Sequence, residues 1–179
     1  MFQLRTPSFI LRDFQAGDLP AYHALRDDDK FQRFYPEADR SLEKAQFLLD
    51  MFIAQSHEQP RQKYQLAITS LDGELLGSCG LRQEAPGIAS MGCELGRRWQ
   101  KSGAALEAGR VMLQFGFTEL ALIRIEAQTM LPNKAAIKLC QQLGMQIVHH
   151  RPDAHYFKGH SWDELVLAIN SADYFKLAK

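Results

Sequence analysis

At Gly103 the hydrophobic period of the chain changes. From Tyr64 up to that point the chain reads as short strands separated by turn signals. Beyond it Ala105, Ala108, Met112 and Phe115 recur at helical spacing, with Gly109 and Gly116 on the same side. So many small residues on one face let a helix approach a sheet closely. Ile88 to Gly96 reads as a strand, so the segment is a strand, a short loop holding Gly103 and a helix. Such a loop leaves backbone N–H groups pointing one way at the positive end of a helix, an anion site suited to a pyrophosphate. Gly103 permits close backbone approach, and Ala104 and Ala105 keep bulk away. A plain glycine-containing turn before a helix has the same local pattern.

Two other phosphate-binding patterns are excluded. A Walker loop needs Gly directly before Lys-Ser/Thr. Here Gln100 precedes Lys101-Ser102, and the earlier loop glycine falls at Leu95. The dinucleotide pattern G-x-G-x-x-G is absent too.

The remaining elements are read from period and punctuation. Phe9 to Phe14 is a first strand. Asp18 and Pro20 open a helix that ends in the acidic run Asp27-Asp28-Asp29. Ser41 to Ser56 is a second helix, with Ala45, Leu48, Leu49 and Phe52 on one face. Tyr64 to Thr69 and Leu75 to Leu81 flank the turn signal Asp72-Gly73, and Pro86-Gly87 breaks the chain before Ile88. After the Gly103 helix come a strand from Leu122 to Thr129 and a helix from Asn133 to Leu143, stopped by Gly144. Met145 to His150 and Glu164 to Ile169 are late strands. The order predicts a mixed α/β protein, largely antiparallel in its first half with helical crossovers later.

The chain has 179 residues, 46% hydrophobic and 23% charged, with 21 basic and 21 acidic side chains. This suits one globular domain spanning 1–179 and gives no global reason for a nucleic-acid partner. No stretch is apolar for long enough to span a bilayer, and Met1 to Asp13 lacks the apolar run of a secretory signal, so a cytoplasmic protein without a membrane partner is expected. Cys79, Cys93 and Cys140 are far apart in sequence and odd in number, and read as small buried hydrophobes. His149, His150, His155 and His160 fall in one region. Adjacent strand residues point to opposite faces and the spacing matches no common zinc pattern, so no metal is expected.

Gln100-Lys101-Ser102-Gly103-Ala104-Ala105 fits the pattern Q/R-x-x-G-x-G/A. About thirty residues on, Pro132-Asn133 through Gly144-Met145 resembles P-x-N-x-x-S-x-x-x-x-x-x-G-F. Arg124-Ile-Glu-Ala and His160-Ser-Trp162-Asp163-Glu164 fit the strands around them. Asp18, Leu19 and Tyr22, with Phe34-Tyr35-Pro36, match an N-terminal half. Together these resemble the GNAT superfamily of N-acetyltransferases, in the branch that includes the ribosomal-protein N-terminal acetyltransferases.

The resemblance spans nearly the whole chain. It implies a GNAT fold: a mixed, mostly antiparallel sheet of about six to seven strands, about four flanking helices, and a splayed strand pair at the coenzyme A site. It implies an acetyl-CoA-dependent N-acetyltransferase whose 100–105 loop amides hold the pyrophosphate and whose Asn133 touches the coenzyme arm. By spacing alone Asn133 is also an N-cap. Lys101 could approach the phosphates. Leu95 and Gly96 would supply a backbone N–H to the thioester oxygen.

The acceptor amine must be neutral to attack. Glu94, near the end of the strand that would carry the acetyl group, is the candidate base, with a solvated ion pair to Arg97 or Arg98 as the alternative. Two positions depart from the family pattern. Its serine is Ala136 here, and where some members carry a tyrosine proposed as general acid this chain has Cys140, a candidate acid or an inert core thiol. The segment between Glu94 and Gln100 is also shorter than usual. The acceptor would be a protein N-terminal α-amine or a small amine such as a polyamine, an aminoglycoside or an amino sugar. A non-catalytic coenzyme-binding module is a further alternative. The acidic run 27–29 reads most simply as a solvated helix end; since the family's first two helices border the acceptor site, the alternative is that it draws a cationic acceptor. The chain would act as a monomer or a homodimer.

Overall fold

The computed structural model describes residues 1–177. Eight strands form one sheet: β1 (Gln3–Arg5), β2 (Phe9–Asp13), β3 (Lys63–Ser70), β4 (Leu75–Ala85), β5 (Ile88–Leu95), β6 (Arg124–Met130), β7 (Gln146–Phe157) and β8 (His160–Asn170). Their order is β1-β2-β3-β4-β5-β6-β8-β7. Five helices accompany them: α1 (Leu19–Arg26), α2 (Leu42–Ser56), α3 (Ala104–Thr118), α4 (Lys134–Gln142) and α5 (Ser171–Leu177). Among the described residues no helix is long and apolar enough to cross a membrane.

Local chemistry fixes the turns. Gly73 (φ 90°) closes the β3–β4 hairpin and Gly87 (φ 73°) the β4–β5 hairpin, both in the left-handed region that glycine enters freely. Ser41 caps α2 by accepting the Lys44 amide. Gly144 (φ 85°) ends the α4 turn.

Alternation along the strands divides the core. Leu66 and Ile68 of β3 face α3 with Leu81, Met91, Met112 and Ile125. Ala67 points the other way and joins Phe14, Tyr22, Ala45, Leu49 and Phe52 beneath α1 and α2. The sheet is thus covered by α1 and α2 on one face and by α3 and α4 on the other.

Every neighbouring pair is antiparallel except β5–β6. That parallel pair meets only where Ile88, Ala89 and Ser90 face Arg124, Ile125 and Glu126. Beyond it β5 stays with β4 as far as Leu95, and β6 stays with β8 as far as Met130. The sheet therefore opens along one seam.

The expected elements are present, with eight strands and five helices instead of six to seven and about four. The additions are the three-residue β1, the terminal α5, and an extension of the last two strands into a long hairpin. Nearly all of β7 is exposed on both faces, so it carries no alternation of apolar and polar residues to read.

β4 and β5 approach closely at Gly77. A Cβ there would lie 2.0 Å from the Glu94 carbonyl oxygen, which is backbone and cannot swing aside. Gly77→Ala should therefore destabilise the protein by about 1–3 kcal/mol. Equilibrium denaturant unfolding against the wild type measures this.

Candidate active site

The open seam leads into a cleft of about 810 Å³ that passes through the sheet. Gly92, Cys93 and Glu94 of β5 line one side and Ala127, Gln128 and Thr129 of β6 the other. Tyr22, Arg26, Tyr35 and Leu48 border it on the α1–α2 face. Asn133, Ala136 and Cys140 border it on the α4 face.

Hydrogen bonding along β5 follows from register. The Gly96 amide donates to the Leu76 carbonyl at 2.8 Å. Bonded pairs alternate in an antiparallel ladder, so Glu94 and Gly92 also bond to β4, while the amides of Cys93 and Leu95 point toward β6. There β6 has already turned away, and these amides face the cleft with no strand to pair with. The expectation for Gly96 is corrected: its N–H is spent on Leu76. The Leu95 and Cys93 amides are the ones directed at this opening.

Glu94 lies on the face of β5 opposite Cys93. The Tyr35 phenol donates to its carboxylate at 2.8 Å, and an Arg26 guanidinium nitrogen lies 3.8 Å away. The alternative ion pair to Arg97 or Arg98 is not formed among the described residues; Arg98 reaches Glu74 at 3.1 Å. Arg26 is 3% exposed. It donates to the Asp39 carbonyl and, at 3.4 Å, to the Tyr22 hydroxyl. Its guanidinium lies 5.6 Å from the ring centroids of Tyr22 and Phe31 and 5.9 Å from that of Tyr35. Burial, then the charge of Glu94, pushes the Tyr35 phenol well above its ordinary range. Tyr35 thus keeps its proton and remains a donor to the carboxylate.

Sequence reasoning placed no role on Arg26 or Tyr35. Tyr22 and Arg26 are four apart on α1 and share a face, a signal that could have paired them. Tyr35 sits in an irregular segment between α1 and α2 and carries no periodic signal.

The acidic run is committed elsewhere. Arg40 binds the carboxylates of Asp27 and Asp29 and the Asp27 carbonyl, while Asp28 accepts the amides of Lys30 and Phe31. These contacts hold the α1–α2 connection together. They leave Asp27 and Asp29 paired with Arg40 at the exposed end of α1.

The turn before α3 holds Lys101 (φ 71°) and Gly103 (φ 89°) in the left-handed region. Ser102 Oγ donates to the Trp99 carbonyl at 2.7 Å and accepts the Ala104 amide at 3.2 Å. Among the described residues the amides of Lys101, Gly103, Ala105 and Leu106 carry no hydrogen bond. The Gln100 and Ser102 amides are spent on the Arg97 and Trp99 carbonyls. No atom lies within 4 Å of where a Gly103 Cβ would stand. The loop thus offers several open amides in uncrowded space at a helix N-terminus, with one amide capped internally.

Asn133 caps α4 by accepting the Ala136 amide at 3.3 Å, and it lines the cleft. Cys140 is 6% exposed, and burial pushes its thiol up to about 11. It is therefore protonated at neutral pH. The histidines lie on the β7–β8 hairpin: His150 meets Asp163 at 2.7 Å and His155 meets Glu164 at 2.8 Å.

Residues 8–146 match the family described as Acetyltransferase (GNAT) domain. The chain belongs to the GNAT acetyltransferase family. It is 28% identical over 179 residues to an N-acetyltransferase, p20, of Bacillus licheniformis, covering 97% of this chain and 99% of that protein. Its fold is similar to spermidine N-acetyltransferase from Vibrio cholerae in complex with CoA and spermine (TM-score 0.81, 19% identity, 95% and 99% of the two chains). It is likewise similar to ribosomal-protein-S5-alanine acetyltransferase from Vibrio fischeri (TM-score 0.81, 15% identity, 97% and 99%). GNAT proteins bind acetyl-CoA, and the chain is an acyl-CoA-dependent acetyltransferase. The seam between β5 and β6 is the candidate site for that chemistry.

Two measurements test the site's electrostatics. Tyr35→Phe and Glu94→Gln, alone and combined, should show a coupling of roughly 1–2 kcal/mol in denaturant unfolding, since the bond joins a hydroxyl to a charged group. For Cys140 the folded state holds the proton more tightly than the unfolded chain. This contribution is complete below pH 9.0 and is lost as pH rises through about 11. Tyr22 and Tyr35 are raised too, so wild-type stability falls on the alkaline side in any case. Cys140→Ala should lose less stability over the same range in parallel thermal melts.

Proposed function

We propose that the chain transfers the acetyl group of acetyl-CoA to a primary amine that enters the cleft from the α1–α2 face, with Glu94 receiving the amine's proton. The observation that carries this reading is the placement of Glu94 on that face of β5, held by Tyr35, beside the unpaired amides of Cys93 and Leu95.

The same geometry supports the remaining roles of this reading. The open amides around Lys101, Gly103 and Ala105, with Gln100, Ser102 and Ala104 shaping the turn, would hold the pyrophosphate. The coenzyme arm would pass along β5, with Asn133 and Ala136 on its other side. Positioning of the amine against the thioester carbon supplies much of the rate. As the carbonyl carbon becomes tetrahedral, negative charge grows on its oxygen, and the Cys93 and Leu95 amides are the donors facing that space. One Glu94 oxygen is engaged by Tyr35. The carboxylate keeps capacity to take the amine's proton directly or through a water. Cys140 is the candidate proton donor to the departing thiolate, although its thiol, pushed up to about 11, is a weaker acid than an ordinary thiol and the transfer is uphill.

A protein N-terminal α-amine is the first acceptor class, supported by the likeness to the ribosomal-protein-S5-alanine acetyltransferase. A polyamine is the second, supported by the equal likeness to the spermidine enzyme. Arg40 offsets only one of the three charges of the run 27–29, so the run keeps a net negative charge at the end of α1. A panel of peptides and polyamines, read by the mass gain of one acetyl group, separates the two. Absence of any acetylated acceptor would favour the coenzyme-binding module.

Glu94→Gln should lower kcat about 10²-fold or more with the coenzyme Kd nearly unchanged. Steady-state kinetics beside calorimetry measures both, and turnover equal to wild type across the pH range would remove Glu94 from the mechanism. Gly103→Glu places a charged side chain at a left-handed residue in the open turn. Coenzyme binding should then fall below detection by calorimetry, and retained micromolar affinity would refute the placement of the pyrophosphate.

A further inference from the structure

Cys79 of β4 and Cys93 of β5 face each other directly across the ladder. The Gly96–Leu76 bond sets which pairs are hydrogen-bonded, and by alternation Cys79–Cys93 is a non-hydrogen-bonded pair. Such pairs have the closer Cα separation, about 4.5 Å, and side chains directed at one another. The Cys79 thiol lies close enough to Cys93 to perturb its ionisation. Cys79 has no exposed surface, while Cys93 is partly exposed and lines the cleft. Both cysteines are free.

We propose that Cys79 and Cys93 form a peroxide-responsive modification site, closing to a reversible cross-strand disulfide in the wall of the cleft. A Cα separation of about 4.5 Å lies at the short end of the roughly 4.4–6.8 Å that a disulfide spans, so the bond needs no backbone rearrangement. A bond formed at that limit is held under strain, and strained disulfides are the readily reduced ones. Cys93 is the entry point because it alone of the pair reaches the cleft. Its thiol reacts with the peroxide to give a sulfenic acid and water. The Cys79 sulfur then displaces hydroxide from that sulfur, forming the S–S bond and a second water. Two thiols are oxidised and one peroxide is reduced. The Cys79 thiol and then burial push the Cys93 thiol well up, so little thiolate is present at neutral pH and the pair oxidises slowly, staying reduced except under sustained peroxide.

Cys140 lines the same cleft and is the competing partner. The test treats the full chain with hydrogen peroxide and maps it by non-reducing mass spectrometry. The expected result is a mass loss of two hydrogens, a linked peptide pair carrying Cys79 and Cys93, and full return with dithiothreitol. In Cys79→Ala the linkage should disappear and dimedone should label Cys93 instead. A link between Cys93 and Cys140 would overturn the proposal. So would recovery of both Cys79 and Cys93 as free thiols after exposed methionines such as Met1 have been oxidised.

Discussion

The parting of β5 from β6 is the constraint from which the rest of the molecule takes its meaning. A sheet interior normally satisfies every backbone amide with a neighbouring strand. Here each strand keeps its outer partner and gives up the inner one after three paired positions. The cost is a set of β5 amides without partners. The gain is a passage through the sheet with hydrogen-bond donors on its edge, reachable from both faces. α3 makes the crossover that a parallel pair requires, and its small face lets it lie close beneath the seam. Gly116 is an instance: a Cβ there would sit 2.8 Å from Ile125 Cδ1 of β6.

Charge is held on one side of this passage by a buried arginine. Arg26 is enclosed by three aromatic rings and anchored to the Asp39 carbonyl, so its position is fixed by packing as well as by charge. An isolated buried guanidinium is costly, and Glu94 at 3.8 Å offsets part of that cost. Tyr35 adds a neutral donor to the same carboxylate. Glu94 is therefore oriented from two directions while it still borders open space. The segment that brings Tyr35 there is folded by the Asp27-Asp28-Asp29 run with Arg40, so the acidity has a structural use in shaping the acceptor side.

The sequence was readable where a period or a turn residue repeats a physical need. The α3 stripe, the Gly73 and Gly87 turns, and the Ser41 and Asn133 caps all follow from local chemistry. The GNAT resemblance then placed the strand seam and the 100–105 turn. Tyr35 was legible only as part of that resemblance, because its role depends on a contact with Glu94 across 59 positions of sequence. The fate of the Gly96 amide depends on which pairs of the β4–β5 ladder are hydrogen-bonded, and composition cannot give that register. The Cys79–Cys93 pair was hidden for the same reason. Cysteines far apart along the chain become direct neighbours once two strands are aligned.

Register is the deeper reason that one short strand can serve so many roles. Along β5, Ala89, Met91, Cys93 and Leu95 face α3 and the core. Ser90 and Glu94 face the other way, toward Glu84 and Tyr35. The amides of the odd residues lie on the edge between. A slip of one residue would exchange all three sets, burying the Glu94 carboxylate among apolar side chains and turning Cys93 toward α1. Close approaches at both ends of the unit oppose such a slip. A Cβ at Gly77 would meet the Glu94 carbonyl, and one at Gly96 would lie 2.2 Å from Leu25 Cδ2 of α1. In a slipped ladder neither glycine would sit at its close contact, and a residue with a side chain would stand there instead. The glycines that admit β4 and α1 thus also select the register in which the proposed base and the open amides share one opening.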